Sequence, residues 1–379
     1  MRLVHTSDWH LGRTLHGVGM LEHQATYLDH LVELVRGERV DAVLVSGDVY
    51  DRAIPPVEAV ELLAHALARL SETATVVLTP GNHDSAIRLG FGAALMRPGV
   101  HLRARPDQVG TPVLLDDAVA VYPLPYLDPD GVRDVLGDGE PLPRSHEAVT
   151  AAAMDRVRTD LAGRPGMRSV VMAHAFVLGG AASDSERDIR VGGVDSVPAG
   201  VFEGVDYVAL GHLHGPQRID GAPGQVVQYS GSPLAYSFSE RNHRKSTALV
   251  ELEASGPPRV ELVPAPVPRR LTELVGELEL VLAQGGGGLH GQDWVRVVAT
   301  DDRRPPDLYA RVRAAFPHAL SVEHRPARTA APPSVAVTPT RDPVELLAEF
   351  VAHVTGAEPD PAELAVLTRA YEAVREPAS

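Results

Sequence analysis

The sequence contains no cysteine in 379 residues. That absence excludes disulfides, thiolate metal sites and thiol nucleophiles, and it suits a reducing compartment. Long apolar runs are missing too: no segment approaches the roughly 18 uninterrupted apolar residues a membrane span needs. The opening, Met1-Arg2-Leu3-Val4-His5-Thr6-Ser7-Asp8, has no apolar h-region and reads as a mature strand rather than a signal peptide. A cytoplasmic location is expected. Basic residues are scarce, 35 Lys and Arg against 50 Asp and Glu, and the net charge of −15 argues against indiscriminate nucleic-acid binding through a basic surface. The rest of the composition, 44 % hydrophobic and 22 % charged, is that of an ordinary globular protein with room for one large domain and one or two small ones.

To about residue 250 the chain alternates strand-like and helix-like segments. Arg2–His5, Asp41–Val45, Thr75–Leu78, Ser169–Met172 and Tyr207–Leu210 are short apolar runs of strand type. Between them, Tyr27, Leu28, Leu31, Leu34 and Val35, and then Val57, Val60, Leu63, Leu67 and Leu70, recur at helical spacing. Each of the five runs ends in polar, ligand-type residues, and in α/β sheets the C-terminal edge is where ligands bind. Val226–Tyr229 and Thr247–Val250 read as further, antiparallel strands. The expected organisation is α/β: a large domain over 1–266, a small α+β domain over 267–325, a Pro/Ala-rich linker over 326–340, and a helical segment over 341–379.

The polar residues form a series: Asp8-x-His10, Gly47-Asp48-x-x-Asp51, Gly81-Asn82-His83-Asp84, His174 and Gly211-His212-x-His214. Taken singly, each has an ordinary explanation, such as a hydrogen-bonded core histidine, a Gly-Asp turn or a helix cap. All five in order, each after an apolar strand, point instead to a metal centre. Carboxylate, imidazole and amide donors suit Mn²⁺, Fe²⁺ or Zn²⁺ in five- or six-coordination. Hydrolysis of a phosphodiester needs hydroxide at neutral pH and neutralised phosphoryl oxygens, which two divalent ions about 3.5–4 Å apart supply when one carboxylate bridges them.

This series resembles the calcineurin-like metallophosphoesterases, and within them the nuclease-subunit family of the bacterial SbcCD complexes. The opening Met1 to Gly12, the stretch Asp184-Ser185-Glu186-Arg187-Asp188-Ile189-Arg190-Val191-Gly192-Gly193, the run Asp206 to His212 and Tyr229-Ser230-Gly231-Ser232-Pro233 carry the likeness, which is loose after about residue 250. The resemblance implies a β-sandwich flanked by helices. It implies a first metal on Asp8, His10 and His214, a bridging Asp48, and a second metal on Asn82, His174 and His212. Mn²⁺ is expected, with Mg²⁺, Fe²⁺ or Zn²⁺ as alternatives. His83 would sit beside the scissile phosphate rather than on a metal, stabilising the transition state or protonating the leaving oxygen. Asp51 would hydrogen-bond and orient His83; its other reading is a turn residue capping the next helix. Archaeal members carry histidine where this chain has Asp51, so the Asp51-Arg52 pair keeps a phosphomonoesterase reading open.

The same resemblance implies a DNA exonuclease on duplex ends and endonuclease on single strands and hairpins, acting in repair, recombination or replication with a coiled-coil ATPase partner. That partner would be gripped by the C-terminal helices, where Val344, Leu347, Phe350, Val351 and Val354 share a face; the alternative is a hairpin packed on its own chain. The small domain would help admit DNA. A homodimer within a heterotetramer would form through helices near 20–36, whose leucine stripe fits packing on the sheet equally well. Arg13, Arg187, Arg190, Arg241, Arg244 and Lys245 are candidate phosphate contacts. Two competing readings are a phosphatase or phosphodiesterase of small molecules and a binding subunit with a dead site. The complete ligand set argues against the last.

Overall fold

The computed structural model describes residues 1–189, 196–285, 288–326 and 342–375. The expected linker, except Pro326, lies outside the described residues, as do Arg190 and two of the four consecutive glycines, Gly286 and Gly287.

Fifteen of the strands matter here. β1 (Arg2–Thr6), β2 (Ala42–Ser46), β3 (Thr75–Thr79) and β4 (Val100–Leu102) run parallel in one sheet. β5 (Val113–Leu115), β6 (Val119–Pro123), β7 (Arg168–His174), β8 (Tyr207–Gly211), β9 (Gln217–Ile219) and β10 (Val226–Tyr229) make a second, in the order β9-β10-β8-β7-β6-β5. β11 (Ser246–Glu251) and β12 (Arg259–Pro264) complete the first sheet antiparallel at its edge, giving β12-β11-β1-β2-β3-β4. Val226–Tyr229 departs from expectation: it pairs parallel with β8 and antiparallel only with β9.

The strands read as unbroken apolar runs because both their faces are buried. Along β2, Ala42 and Leu44 enter the core between the sheets while Val43 and Val45 enter the outer core beneath helices. Along β8, Tyr207 and Ala209 face between the sheets while Val208 and Leu210 face the other helical layer. α1 (Leu21–Glu38) and α2 (Val57–Leu70) cover the first sheet; α4 (Pro129–Leu136) and α5 (His146–Ala162) cover the second. Between α2 and α4 lies one short helix, α3 (Ala86–Leu89). The stripe on α1, Tyr27, Leu28, Leu31, Val32 and Val35, is buried in this core. That face is used up by packing on the sheet.

After the sandwich, β13 (Leu271–Gly276), β14 (Trp294–Ala299) and β15 (Ala319–His324) form a small parallel sheet with α6 (Leu278–Leu282) and α7 (Leu308–Ala315) around their own core. The chain divides into two compact units, Met1–Pro326 and Ala327–Ser379. In the second, α8 (Pro343–Thr355) and α9 (Pro361–Arg375) are the described elements. α8 starts at an Asp342 cap on the Val344 N–H and stops at Gly356, whose φ of +74° suits glycine. Phe350 and Val354 on it stay 64 % and 66 % exposed. No helix among the described residues is long and apolar enough to cross a membrane.

His5 is a titratable group that lies between the sheets, away from the site. It is fully buried, with Nδ1 2.9 Å from the Tyr207 hydroxyl and Nε2 3.1 Å from the Leu210 carbonyl. Burial lowers its pKa from 6.5 to about 3, against the opposing pull of that carbonyl. Below pH 6.5 the unfolded chain therefore takes up a proton that the folded chain refuses until about pH 3. Stability attributable to His5 is intact above pH 6.5 and falls by about 1.4 kcal/mol per pH unit on acidification to that limit. In chelator-treated protein, urea unfolding at pH 7 and pH 5 is expected to show an acid loss about 2 kcal/mol smaller in His5→Gln than in the natural chain. Equal losses would mean that His5 charges without unfolding.

Candidate metal centre

Five strands deliver their following residues to one point. β1 leads to Asp8 and His10, β2 to Asp48, β3 to Asn82 and His83, β7 ends on His174, and β8 leads to His212 and His214. The crossings are tight. A Cβ on Gly47, which has φ +84°, would lie 2.3 Å from His174 Nδ1, and one on Gly81 would lie 2.2 Å from Asp48 Oδ1. Four of the ligand-type residues themselves sit at positive φ: Asp8 (54°), His10 (46°), Asp48 (48°) and His212 (104°). Such backbone conformations cost energy and persist where surrounding structure imposes them. Here the imposition is visible: the N–H groups of Asp8 and His10 donate to Gly47 O (3.1 Å) and Asp48 O (3.0 Å).

Asp48 is central. Its Oδ2 lies 3.5 Å from His174 Nε2, 3.6 Å from His10 Nε2 and 3.9 Å from His83 Nε2, while Oδ1 accepts the His83 N–H at 2.9 Å. Asp8 accepts from the Ser7 hydroxyl and from the His212 N–H at 3.0 Å. Three sets of side chains, Asp8–His10–His214, His10–Asp48–His83 and Asp8–Asp48–His174, bring ligand atoms within 4.8 Å of one another. Asn82 Oδ1 stands 2.8 Å from His174 Nε2 and 3.3 Å from His212 Nδ1. Asp84 closes the turn, accepting N–H bonds from Val49 (3.0 Å), Tyr50 (2.9 Å) and Gly81 (2.9 Å).

These residues fit cations better than they fit one another. His10 Nε2 and His214 Nε2 face each other at 3.1 Å. The buried atoms His83 Nε2, His10 Nδ1 and Asn82 Nδ2 have no hydrogen-bond partner. Two buried carboxylates, Asp8 and Asp48, lie among the imidazoles with no Lys or Arg paired to either among the described residues. Burial lifts Asp8 to about 6 despite the pull of His174 and His214. Asp48 goes the other way: burial would raise it, but His174, His10 and His83 hold it well below the usual carboxylate range. His174 is pushed up to about 9, the attraction of Asp48 and Asp8 outweighing burial, whereas burial, reinforced by His174, drops His212 to about 3. A site of buried, mutually opposed charges is the kind that divalent ions complete.

All seven expected ligands thus converge, with His83 beside them. Asp51 differs from expectation. The bond that orients His83 exists, Nδ1 at 2.8 Å, but its acceptor is the Asp51 main-chain oxygen. The Asp51 carboxylate instead faces His10 Nδ1 at 3.7 Å and Arg13 Nε at 3.6 Å. Lys245 cannot reach DNA: it is buried, paired with Glu240, and donates to His214 O at 2.9 Å. Arg13 is turned inward over the Tyr236 ring and donates to Ser185 O at 2.9 Å. Arg187 is exposed at the rim and donates to Asn82 O at 3.3 Å. Arg241 and Arg244 are exposed, the former 3.7 Å from Glu273. Missed altogether were Glu240 and the roles of Ser185 and Glu186, which surround His214. Ser185 and Glu186 lie inside a motif that the sequence flagged; Glu240 ends a short 3-10 helix, Phe238–Glu240, with no local signal.

Residues 1–216 match the family profile of calcineurin-like phosphoesterases. The chain is a calcineurin-like phosphoesterase. A second profile, the type 5 capsule protein repressor C-terminal domain, matches residues 267–355. Among relatives of this phosphoesterase is the SbcD subunit of nuclease SbcCD from Bacillus subtilis (strain 168), 38 % identical over 265 residues, which is 66 % of this chain and 66 % of the relative. The match spans just under two thirds of that protein's length. Two solved structures are also similar, a protein of Thermus thermophilus (16 % identity) and a dimetal phosphatase from Danio rerio (15 % identity). Both have TM-score 0.41 over 69 % of this chain and 98 % of theirs.

Proposed function

We propose that this phosphoesterase is the DNA-cutting subunit of an ATP-dependent complex, hydrolysing phosphodiesters at duplex ends and in single strands and hairpins. The observation that carries the reading is the convergence of seven ligand-type side chains in a chain 38 % identical to an SbcCD nuclease subunit, Asn82 and His212 joining through their contacts with His174 and Asp8. Two divalent ions, Mn²⁺ before Mg²⁺, Fe²⁺ or Zn²⁺, would neutralise phosphoryl charge and acidify water. Asp8, His10 and His214 would hold one, Asn82, His174 and His212 the other, and Asp48 would serve both. Because His83 Nδ1 donates to the Asp51 carbonyl, Nε2 is the atom that exchanges a proton with the leaving oxygen. Arg187, at the rim beside Asn82, meets a phosphate oxygen, and exposed Arg241 and Arg244 meet the strand beyond.

The net charge of −15 leaves non-specific affinity low, so a DNA-binding partner must supply much of it. We assign that partner, a coiled-coil ATPase in the cytoplasm, to α8 and α9, where Phe350, Val354, Leu364 and Val366 are exposed. We assign the dimer surface to the start of α2 with the turn before it and to α3 with the segment after it, rather than to α1. Ile54, Val57, Ile87, Phe91 and Leu95 are all more than 60 % exposed there, and Arg88 ties the two segments by donating to Ala53 O. Phe91→Asp with Leu95→Asp is expected to halve the solution mass measured by light scattering. A double variant that keeps a dimer mass would return the surface to question.

The reading is tested by supplying Mn²⁺ and following a labelled hairpin, a single strand and an aryl phosphate ester in parallel. DNA cleavage supports it. Ester hydrolysis with DNA untouched, even with the cognate ATPase added, would make the chain a small-molecule phosphatase.

A further inference from the structure

His214 is held at every polar atom except the one facing the metal cluster. Its N–H donates to Glu186 Oε1 at 2.8 Å and its carbonyl accepts from Lys245 Nζ at 2.9 Å. Nδ1 lies 2.7 Å from Ser185 Oγ and 3.3 Å from Glu240 Oε1. Nε2 alone looks toward His10. Among the described residues, no other histidine of the cluster has a carboxylate within hydrogen-bond distance of Nδ1; that of His83 rests on the Asp51 carbonyl at 2.8 Å. His174 Nδ1 rests on the Ser46 carbonyl at 3.1 Å, His212 Nδ1 on Asn82 at 3.3 Å, and His10 Nδ1 has no hydrogen bond.

The proton inventory of this network is determined by its charged member. Glu240 is fully buried and paired with Lys245, whose Nζ also donates to Ser232 Oγ at 2.8 Å. An ionised carboxylate only accepts. Ser185 Oγ, 2.5 Å from Glu240 Oε1, therefore gives its single proton there, in preference to the neutral Ser183 hydroxyl at 2.8 Å. With that proton spent, the 2.7 Å contact to His214 requires Nδ1–H as donor, which leaves Nε2 with a bare lone pair directed into the cluster. A buried Glu–Lys pair is costly and weak evidence of stability on its own. This one grips the ring and the main chain of a single histidine from both sides.

We propose that Glu240, acting through Ser185, is a positioning residue that fixes the ring and tautomer of His214 and so sets the affinity of one metal position, that of Asp8, His10 and His214, without setting the other. Outer carboxylates of this kind change metal affinity by about 10–100-fold. The proposal rests on the reading of the cluster as a metal centre and adds an asymmetry to it. The hydrogen bonds of Asn82, His174 and His212, which would build the second position, run to one another and to Ser46, Asp8 and Arg187 rather than to Glu240.

The test is calorimetric Mn²⁺ titration of the metal-stripped full chain, natural and as Ser185→Ala, Glu240→Gln, and Glu240→Gln with Lys245→Met. The double variant removes both buried charges and guards against misfolding of Glu240→Gln, and melting curves in chelator identify the folded ones. Two ions in the natural chain, with one of them weakened about 10–100-fold in the folded variants, is the expected result. The weakening should persist in a His212→Ala background, where the first position is tested alone. Folded variants that bind both ions as the natural chain does, or that lose both equally, would overturn the proposal. A natural chain that binds no ion would instead remove the metal-centre reading itself.

Discussion

Asp48→Asn is expected to reduce metal-dependent phosphodiester hydrolysis about a thousandfold or more, the rate equivalent of losing several kcal/mol of transition-state charge stabilisation. Asp48 Oδ2 lies 3.5–3.9 Å from three imidazole nitrogens, those of His174, His10 and His83. Asparagine keeps the shape and leaves an acceptor for the His83 N–H, which Oδ1 now takes at 2.9 Å. It removes the negative charge that both proposed metal positions would share. In the metal-free variant the attraction between Asp48 and His174 is lost along with the repulsion between Asp48 and Asp8, so the melting curve serves to establish that the variant is folded. Rate at saturating Mn²⁺ and the melting curve in chelator together check this. A folded variant with near-natural rate would show that Asp48 bridges nothing.

His83→Ala separates chemistry from metal binding. Its ring packs edge-on against His10 with centroids 4.7 Å apart, and its Nε2 is buried without a partner beside the cluster. Proton transfer by a positioned histidine contributes about 10²–10⁴-fold, and the loss in DNA cleavage should fall in that range. The seven proposed ligands are untouched, so the variant should bind Mn²⁺ with natural stoichiometry in a calorimetric titration. Loss of an ion along with activity would make His83 a ligand, a role its place in the His10–Asp48–His83 cluster permits geometrically.

The strand-end pattern was legible because the physics is local. Strands buried on two faces, such as Ala42–Ser46 and Tyr207–Gly211, must be apolar throughout, so the polar residues that follow stand out. Gly47 and Gly81 were legible as turns, but the reason for them, imidazole and carboxylate within 2.3 Å of a would-be Cβ, is tertiary. What depended on distant contacts was read less well. Val226–Tyr229 takes its parallel pairing from β8, which no local pattern encodes. Arg241, Arg244 and Lys245 stood alike as candidate phosphate contacts, yet Lys245 turns inward to a glutamate five residues back. The leucine stripe of α1 was compatible with two fates until the sheet beneath it was seen. Asp51 illustrates the finest limit: its orienting contact to His83 uses the main chain, which sequence identity at that position cannot report.

The most direct test of the account is Mn²⁺ titration of the metal-stripped chain while cleavage of a labelled DNA hairpin is followed. The account predicts that cleavage appears only as the second ion per chain binds, and that chelator abolishes it. Cleavage that survives chelation, or two bound ions with no attack on DNA in the presence of the ATPase partner, would contradict it.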